Sequence, residues 1–186
     1  MRRIFSLMLA GLMTAGVAVN AQPAGGDAEA IERALAAAPR QARDGAMVIR
    51  WKADFTYDVL RPGTNRIVCY DQSGLPTEQP YSVQCTSVGN LERVAQNRRM
   101  EAEPDRTKRQ AALDAAERDG TRVKPEYGSV FYTLSGKDAT TTRLHMTIAV
   151  PGATTQSTGL PDHNKQGGAW IMNAGTTSAH VMVPGS

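Results

Sequence analysis

The sequence predicts an α+β domain: an antiparallel sheet with helices packed on one side, held by one disulfide. Three observations lead there. Short apolar runs fall in two blocks, MVIRW to RIVCY (47–70) and SVFYTLSG to SAHVMV (129–183), and several of them alternate with the period of two that belongs to strands. Between the blocks lies a charged segment, 90–119, of helix-forming composition. No βαβ rhythm and no glycine-rich phosphate loop accompanies the strands, which favours antiparallel pairing.

The first 21 residues, MRRIFSLMLAGLMTAGVAVNA, carry Arg2 and Arg3, then an apolar stretch to about Val19, then small residues up to Ala21. That is the pattern of a secretory signal peptide cut after Ala21. The apolar part is shorter than the ~20 residues a membrane span needs, and Gly11, Thr14 and Gly16 interrupt it. The expected mature chain, 22–186, is a single α+β domain in the periplasm or secreted, with no membrane span after cleavage. Lys and Arg number 21 against 18 Asp and Glu; losing Arg2 and Arg3 leaves a net charge of only +1. So weak a positive field argues against nucleic acid as a partner.

Residues 22–27 read as a flexible leader, with Asp27 as the cap of a helix over 28–38 that Pro39 stops. Ile31, Leu35 and Ala38 give this helix a narrow apolar stripe. MVIRW, FTYDVL and RIVCY then read as a three-stranded meander with turns at 52–54 and 62–65, Phe55, Tyr57 and Val59 sharing an apolar face. Cys69 ends the third strand.

Cys69 and Cys85 are the two cysteines of the chain, and export makes a disulfide between them the default. The segment between them holds Gly74, Pro76 and Pro80 and reads as a loop. Their spacing is not CxxC and no histidine lies near either in sequence, so a redox pair or a thiolate metal site is the weaker reading.

Residues 90–119 predict two helices or one helix kinked at Pro104, ending at Gly120. Leu91, Val94 and Ala95, with Ala112, Leu113 and Ala116, give thin contact stripes, which suits a helical cover docked on the sheet. The alternative is an arm whose Arg98, Arg99, Arg106, Lys108 and Arg109 meet an acidic partner.

Four more strands follow. In RLHMTIAV, Leu144, Met146, Ile148 and Val150 share one face and Arg143, His145 and Thr147 the other. The last two strands, AWIMN and SAHVMV, predict a hairpin with a four-residue loop in which Asn173 faces Ser178, Ile171 faces His180 and Ala169 faces Met182. Trp170, Met172, Val181 and Val183 then form the core side.

The chain resembles a family of small exported bacterial hypothetical proteins. The resemblance rests on Gly63-Thr64-Asn65 before Cys69, on Cys85, and above all on the tail GGAWIMNAGTTSAHVMVP (167–184). Family tails resemble a Gly-Pro-x-Val-Met-Trp run, a Gly-Thr turn, then Tyr-Ala-His and a Met-Val-Pro ending. Ala169, Asn173 and Ser178 stand where that pattern has proline, tryptophan and tyrosine. The resemblance implies export and a shared fold, and it supplies no catalytic residue.

For chemistry, the weak catalytic candidates are His180, His145 and Ser178, with two histidines on separate strands of one sheet and a serine two residues from one of them. There is no GxSxG elbow and no HExxH, and Asp162-His163 adjacent on a loop is a poor chelate. No metal and no cofactor is expected. The binding candidates are Trp170, Asp162, His163 and Arg143, gathered near the polar connection 152–168, with Trp51 and Tyr132 as possible pocket walls or core residues. A non-enzymatic module binding a small molecule or an envelope protein asks less of these residues than its alternative, a small hydrolase or metal-dependent enzyme using His180 with His145.

Overall fold

The structure is a computed structural model that describes residues 26–183. The expected signal peptide and residues 22–25 of the expected leader lie outside the described residues. The chain is α+β, with one eight-stranded, mostly antiparallel sheet and a disulfide between Cys69 and Cys85. In chain order come α1 (Asp27–Ala34), β1 (Met47–Trp51), β2 (Tyr57–Arg61), β3 (Ile67–Asp71), β4 (Tyr81–Ser87), α2 (Leu91–Glu101) and α3 (Arg106–Arg118). They are followed by β5 (Val130–Gly136), β6 (Arg143–Ala149), the four-residue α4 (Thr155–Thr158), β7 (Trp170–Met172) and β8 (His180–Met182). The strand order is β2-β1-β3-β4-β5-β6-β8-β7.

The expected meander is corrected by this order. β1 sits between β2 and β3, antiparallel to the first and parallel to the second. The segment read as a turn, 62–65, instead carries the chain across the entry of β1. Thr64 and Asn65 donate their backbone N–H groups to the Gly45 carbonyl at 2.8 and 3.1 Å. A Cβ on Gly63 would lie 2.6 Å from the Met47 nitrogen, so only glycine lets the two backbones pass this closely. Phe55, expected in a strand, occupies the turn before β2 at φ 67°. β2 is an edge strand, and Tyr57 and Val59 are exposed rather than members of an apolar face.

Helices lie on both faces of the sheet rather than on one. α1 starts at Asp27, which is its first residue rather than its cap, and tightens into a 3-10 turn over Leu35–Ala37 before Pro39 ends it. Ala34, Leu35 and Ala37 bury against Val48, Cys69, Val83 and Cys85. α2 covers the opposite face, where Val94 and Leu91 pack on Ile49, Val68 and Tyr70. The break between α2 and α3 falls at Pro104, and the Asp105 carboxylate caps α3 by accepting from the Thr107 and Lys108 N–H groups. A third cluster, Val150, Ala153, Ile171 and Ala179, closes the C-terminal end.

The tail hairpin is also corrected. Met172 faces His180, Ile171 faces Val181 and Trp170 faces Met182. The connection is longer than four residues and folds as successive turns: Thr176 donates to the Asn173 carbonyl, and Ala179 to that of Thr176. Asn173 and Gly175 take φ 53° and 83° there. The core residues of the hairpin are therefore Ile171 and Val181, not Trp170 and Met172.

Cys69 lies in the middle of β3, not at its end, directly opposite Cys85 on β4, with Cα atoms 4.1 Å apart. The segment between the cysteines is thus a β-hairpin whose loop is 72–80. Intact mass is expected to rise by two hydrogens on reduction. Replacing both cysteines by alanine is expected to lower stability in urea unfolding by about 3 kcal/mol, the loop-closure value for a separation of this size; an unchanged midpoint would contradict the bridge.

Candidate functional site

On the α2 face, four residues stand in one cross-strand row: Tyr70 on β3, Gln84 on β4, Thr133 on β5 and His145 on β6, each paired with the next. Tyr70 donates its hydroxyl to Gln84 Oε1 at 2.6 Å, and Gln84 Nε2 donates to Thr133 Oγ1 at 2.8 Å. A row of polar side chains across four strands is an unusual floor for a helix to cover, because a docked helix needs apolar surface. α2 and α3 do not close onto it. A cleft of about 560 Å³ remains between them and the sheet, within the range of small-molecule sites.

The roof comes from one side of α2. Val94, Asn97, Arg98 and Glu101 are spaced i, i+3, i+4 and i+7, so they share a face, and all four line the cleft. α3 adds Leu113, Asp114 and Glu117. Arg93, buried at 5% exposure, holds this roof in place. It donates to the Val123 carbonyl at 2.5 Å, to Thr177 Oγ1 at 3.1 Å and to Ser178 Oγ at 2.7 Å. Arg122, also buried, donates to Gln96 Oε1 at 2.8 Å and Asn97 Oδ1 at 2.5 Å. Neither guanidinium has a carboxylate in an ion pair among the described residues.

Burial of these charges shows in their proton affinities. Desolvation, aided by the charge of Arg122, brings Arg93 down to about 10. Burial likewise lowers Arg98 and Arg122. It raises Glu101, with the nearby Glu78 carboxylate adding to the effect. Glu117 goes the other way. Desolvation alone would raise it, but the Thr177 N–H and hydroxyl donate to its carboxylate at 2.5 and 2.7 Å and, together with the charge of Arg93, hold it below the ordinary value.

Among the sequence candidates, His145, His180 and Ser178 all line this cleft. They are not in a catalytic arrangement. His180 Nδ1 lies 2.8 Å from the Ser178 carbonyl oxygen, while the Ser178 hydroxyl accepts from Arg93. His180 is opposite Ala149, four residues along β6 from His145, which is roughly 13 Å of strand. The binding candidates are scattered. Arg143 lines a separate shallow groove with Gln79, Ser135 and Lys137. Asp162 and His163 are exposed on the loop before β7, where His163 Nδ1 accepts from the Lys165 N–H at 3.4 Å. Trp170 is half-buried on the edge strand β7 and does not line the cleft, and Tyr132 packs on the α1 face. Among the described residues, no group of three or more His, Cys, Asp or Glu is placed to hold a metal ion, and no helix is long and apolar enough to cross a membrane.

Sequence reasoning missed Arg93, Arg122, Glu101 and Gln84, and named Arg98 only in its alternative reading, as part of an arm meeting an acidic partner. The usable signal was the continuation of the α2 stripe: the face that begins apolar at Leu91 and Val94 turns polar at Asn97, Arg98 and Glu101. Charges at inward positions of a docked helix mark a cavity or a buried network.

The chain matches no protein-family model, no curated protein and no solved structure.

Two outcomes follow from this geometry. Glu117 has a lowered folded value, so its contribution is present above the ordinary carboxylate value of 4.5 and is lost as pH falls through the folded one. Glu117→Gln is expected to be less stable than wild type at pH 7, by about 1 kcal/mol, and the gap in urea midpoints is expected to narrow as pH falls below the ordinary carboxylate value. His180→Ala, which loses one half-buried contact, is expected to lower stability by about 1 kcal/mol; an aggregated variant would place His180 deeper than its partial exposure indicates.

Proposed function

We propose that the protein is an exported, non-enzymatic binding module that holds a small polar molecule in the cleft between α2–α3 and the sheet. Its place would be the periplasm or the cell exterior. The observation that carries this reading is the polar floor. Gln84, Thr133 and His145 line an open volume of about 560 Å³ under a roof bearing Arg98 and Glu101, and the buried Tyr70 hydroxyl is bonded to Gln84 at the end of that row. A sheet face covered only to form a core would be apolar there. Export is supported by the leader 1–21, by the disulfide, and by the resemblance of the tail to small exported bacterial proteins.

The convergence of His145, His180 and Ser178 on the same cleft favours a second reading, a small hydrolase using His180. Against it stands the serine hydroxyl, which is bonded to Arg93 rather than to a base. An envelope protein as partner is less well served, since a concave polar cleft fits a small molecule better than a flat surface.

Thermal-shift screening of the mature chain against a metabolite library, beside Thr147→Trp, tests the reading. Thr147 lines the cleft on β6, and an indole there is expected to fill it. A compound that stabilises wild type by several degrees and leaves Thr147→Trp unmoved is the expected result. Equal stabilisation of both would remove the cleft from consideration, and turnover of a ligand lost in His180→Ala would turn the reading to the hydrolase.

A further inference from the structure

Two ionisable groups of the cleft are left without an opposite charge in contact. Arg98 lies with its guanidinium 5.3 Å above the centre of the Trp51 ring, and its Nε and Nη1 are buried with no hydrogen-bond partner. Glu101 stands three residues on along the same face of α2. The ion pairs among the described residues include neither of them. Nor are they exposed: both are half-buried against the cleft. A charge withdrawn from water without a partner is costly, and here one of each sign is left so within a single helical turn.

Resting on the reading of the cleft as a small-molecule site, we propose that its ligand is a small zwitterion of the α-amino-acid type, its carboxylate received by Arg98 and its ammonium by Glu101. Residues three apart on a helix have Cβ atoms roughly 5–6 Å apart, close enough for both side chains to reach the two ends of one small molecule. Glu78, which also lines the cleft and bears on Glu101 electrostatically, adds a second negative charge at the ammonium end. The same cavity is walled in part by Val94, Leu113 and Phe131, which suits an apolar side chain. Arg98 and Glu101 bear on each other, and Arg122 and Arg109 on Glu101, without any of these charges being in contact; a simple anion would leave Glu101, and a simple cation Arg98, still without a partner in contact. A molecule carrying both charges relieves both at once.

The test is calorimetric titration of the mature chain with L-leucine and L-phenylalanine, and with the two halves of leucine, 3-methylbutylamine and 4-methylpentanoate. At least one amino acid is expected to bind, and each half-molecule of leucine to bind ten-fold or more weakly than leucine. Arg98→Gln and Glu101→Gln are each expected to weaken amino-acid binding ten-fold or more. Glu101→Gln is also expected to raise the apo Tm, because it removes a half-buried charge near Glu78; that separates a lost ligand contact from a lost fold. Binding of 4-methylpentanoate as tight as leucine, unaffected by Glu101→Gln, would overturn the zwitterion. So would amine binding unaffected by Arg98→Gln. No response to either amino acid, while a library compound still stabilises wild type and not Thr147→Trp, would overturn this ligand class and leave the binding module standing.

Discussion

A single buried guanidinium sets the distance between the two walls of the cleft. Arg93 projects from α2 and reaches both the segment at Val123 that follows α3 and the turn at Thr177 and Ser178 that precedes β8. Those stretches lie far apart in sequence, and the bonds join the roof to the C-terminal strands. Glu117 repeats the link from α3, accepting from Thr177. The roof is therefore packed down at Leu91 and Val94 and tied by hydrogen bonds where it reaches the C-terminal strands. That is why a polar floor can persist beneath the rest of it: where apolar packing stops, these hydrogen bonds hold the helices over surface they do not bury.

The two faces of the sheet accordingly differ in kind. The α1 face is a conventional core, where Leu35 and its alanine neighbours fill the space over Val48, Val83 and the two sulfurs. Burial there is apolar and continuous, the arrangement that contributes most to stability. The α2 face is apolar only over Ile49, Val68 and Tyr70 and becomes hydrophilic toward β5 and β6. One face is closed by continuous apolar packing, while the other is closed only in part and keeps an open cleft.

Much of the architecture was legible in the sequence. Strand identity followed from short alternating runs such as RLHMTIAV, the helix break from Pro104, and the disulfide from the cysteines and the leader. What failed were pairings. Nothing local distinguishes a tight turn at Pro62-Gly63-Thr64-Asn65 from a crossing over the start of β1, because both need glycine for close approach; the difference lies in Gly45, which is remote in sequence. The tail register failed for a related reason. Asn173 and Ser178 read as strand ends, but Asn173 takes a left-handed conformation and Ala179 donates into the turn, which moves His180 opposite Met172. Of the residues that line the cleft, His145, His180 and Ser178 were singled out in the sequence, as catalytic candidates. The arginines were not, since a charged helix face and a charged cavity wall look alike until the partner of that face is known.

The sulfur bridge has a meaning beyond cross-linking. Cys85 points to the α1 side, and its neighbour Gln84 points the other way, into the row that begins at Tyr70. Successive residues of a strand alternate sides, so sliding β4 by one position against β3 would exchange them, putting an amide among aliphatic side chains and a sulfur in the cleft. A covalent bond between directly opposed strand residues forbids that slip. The bridge thus acts as an index pin: it sits in dry packing, faces away from the cleft, and still dictates which side chains line it on the far side of the sheet.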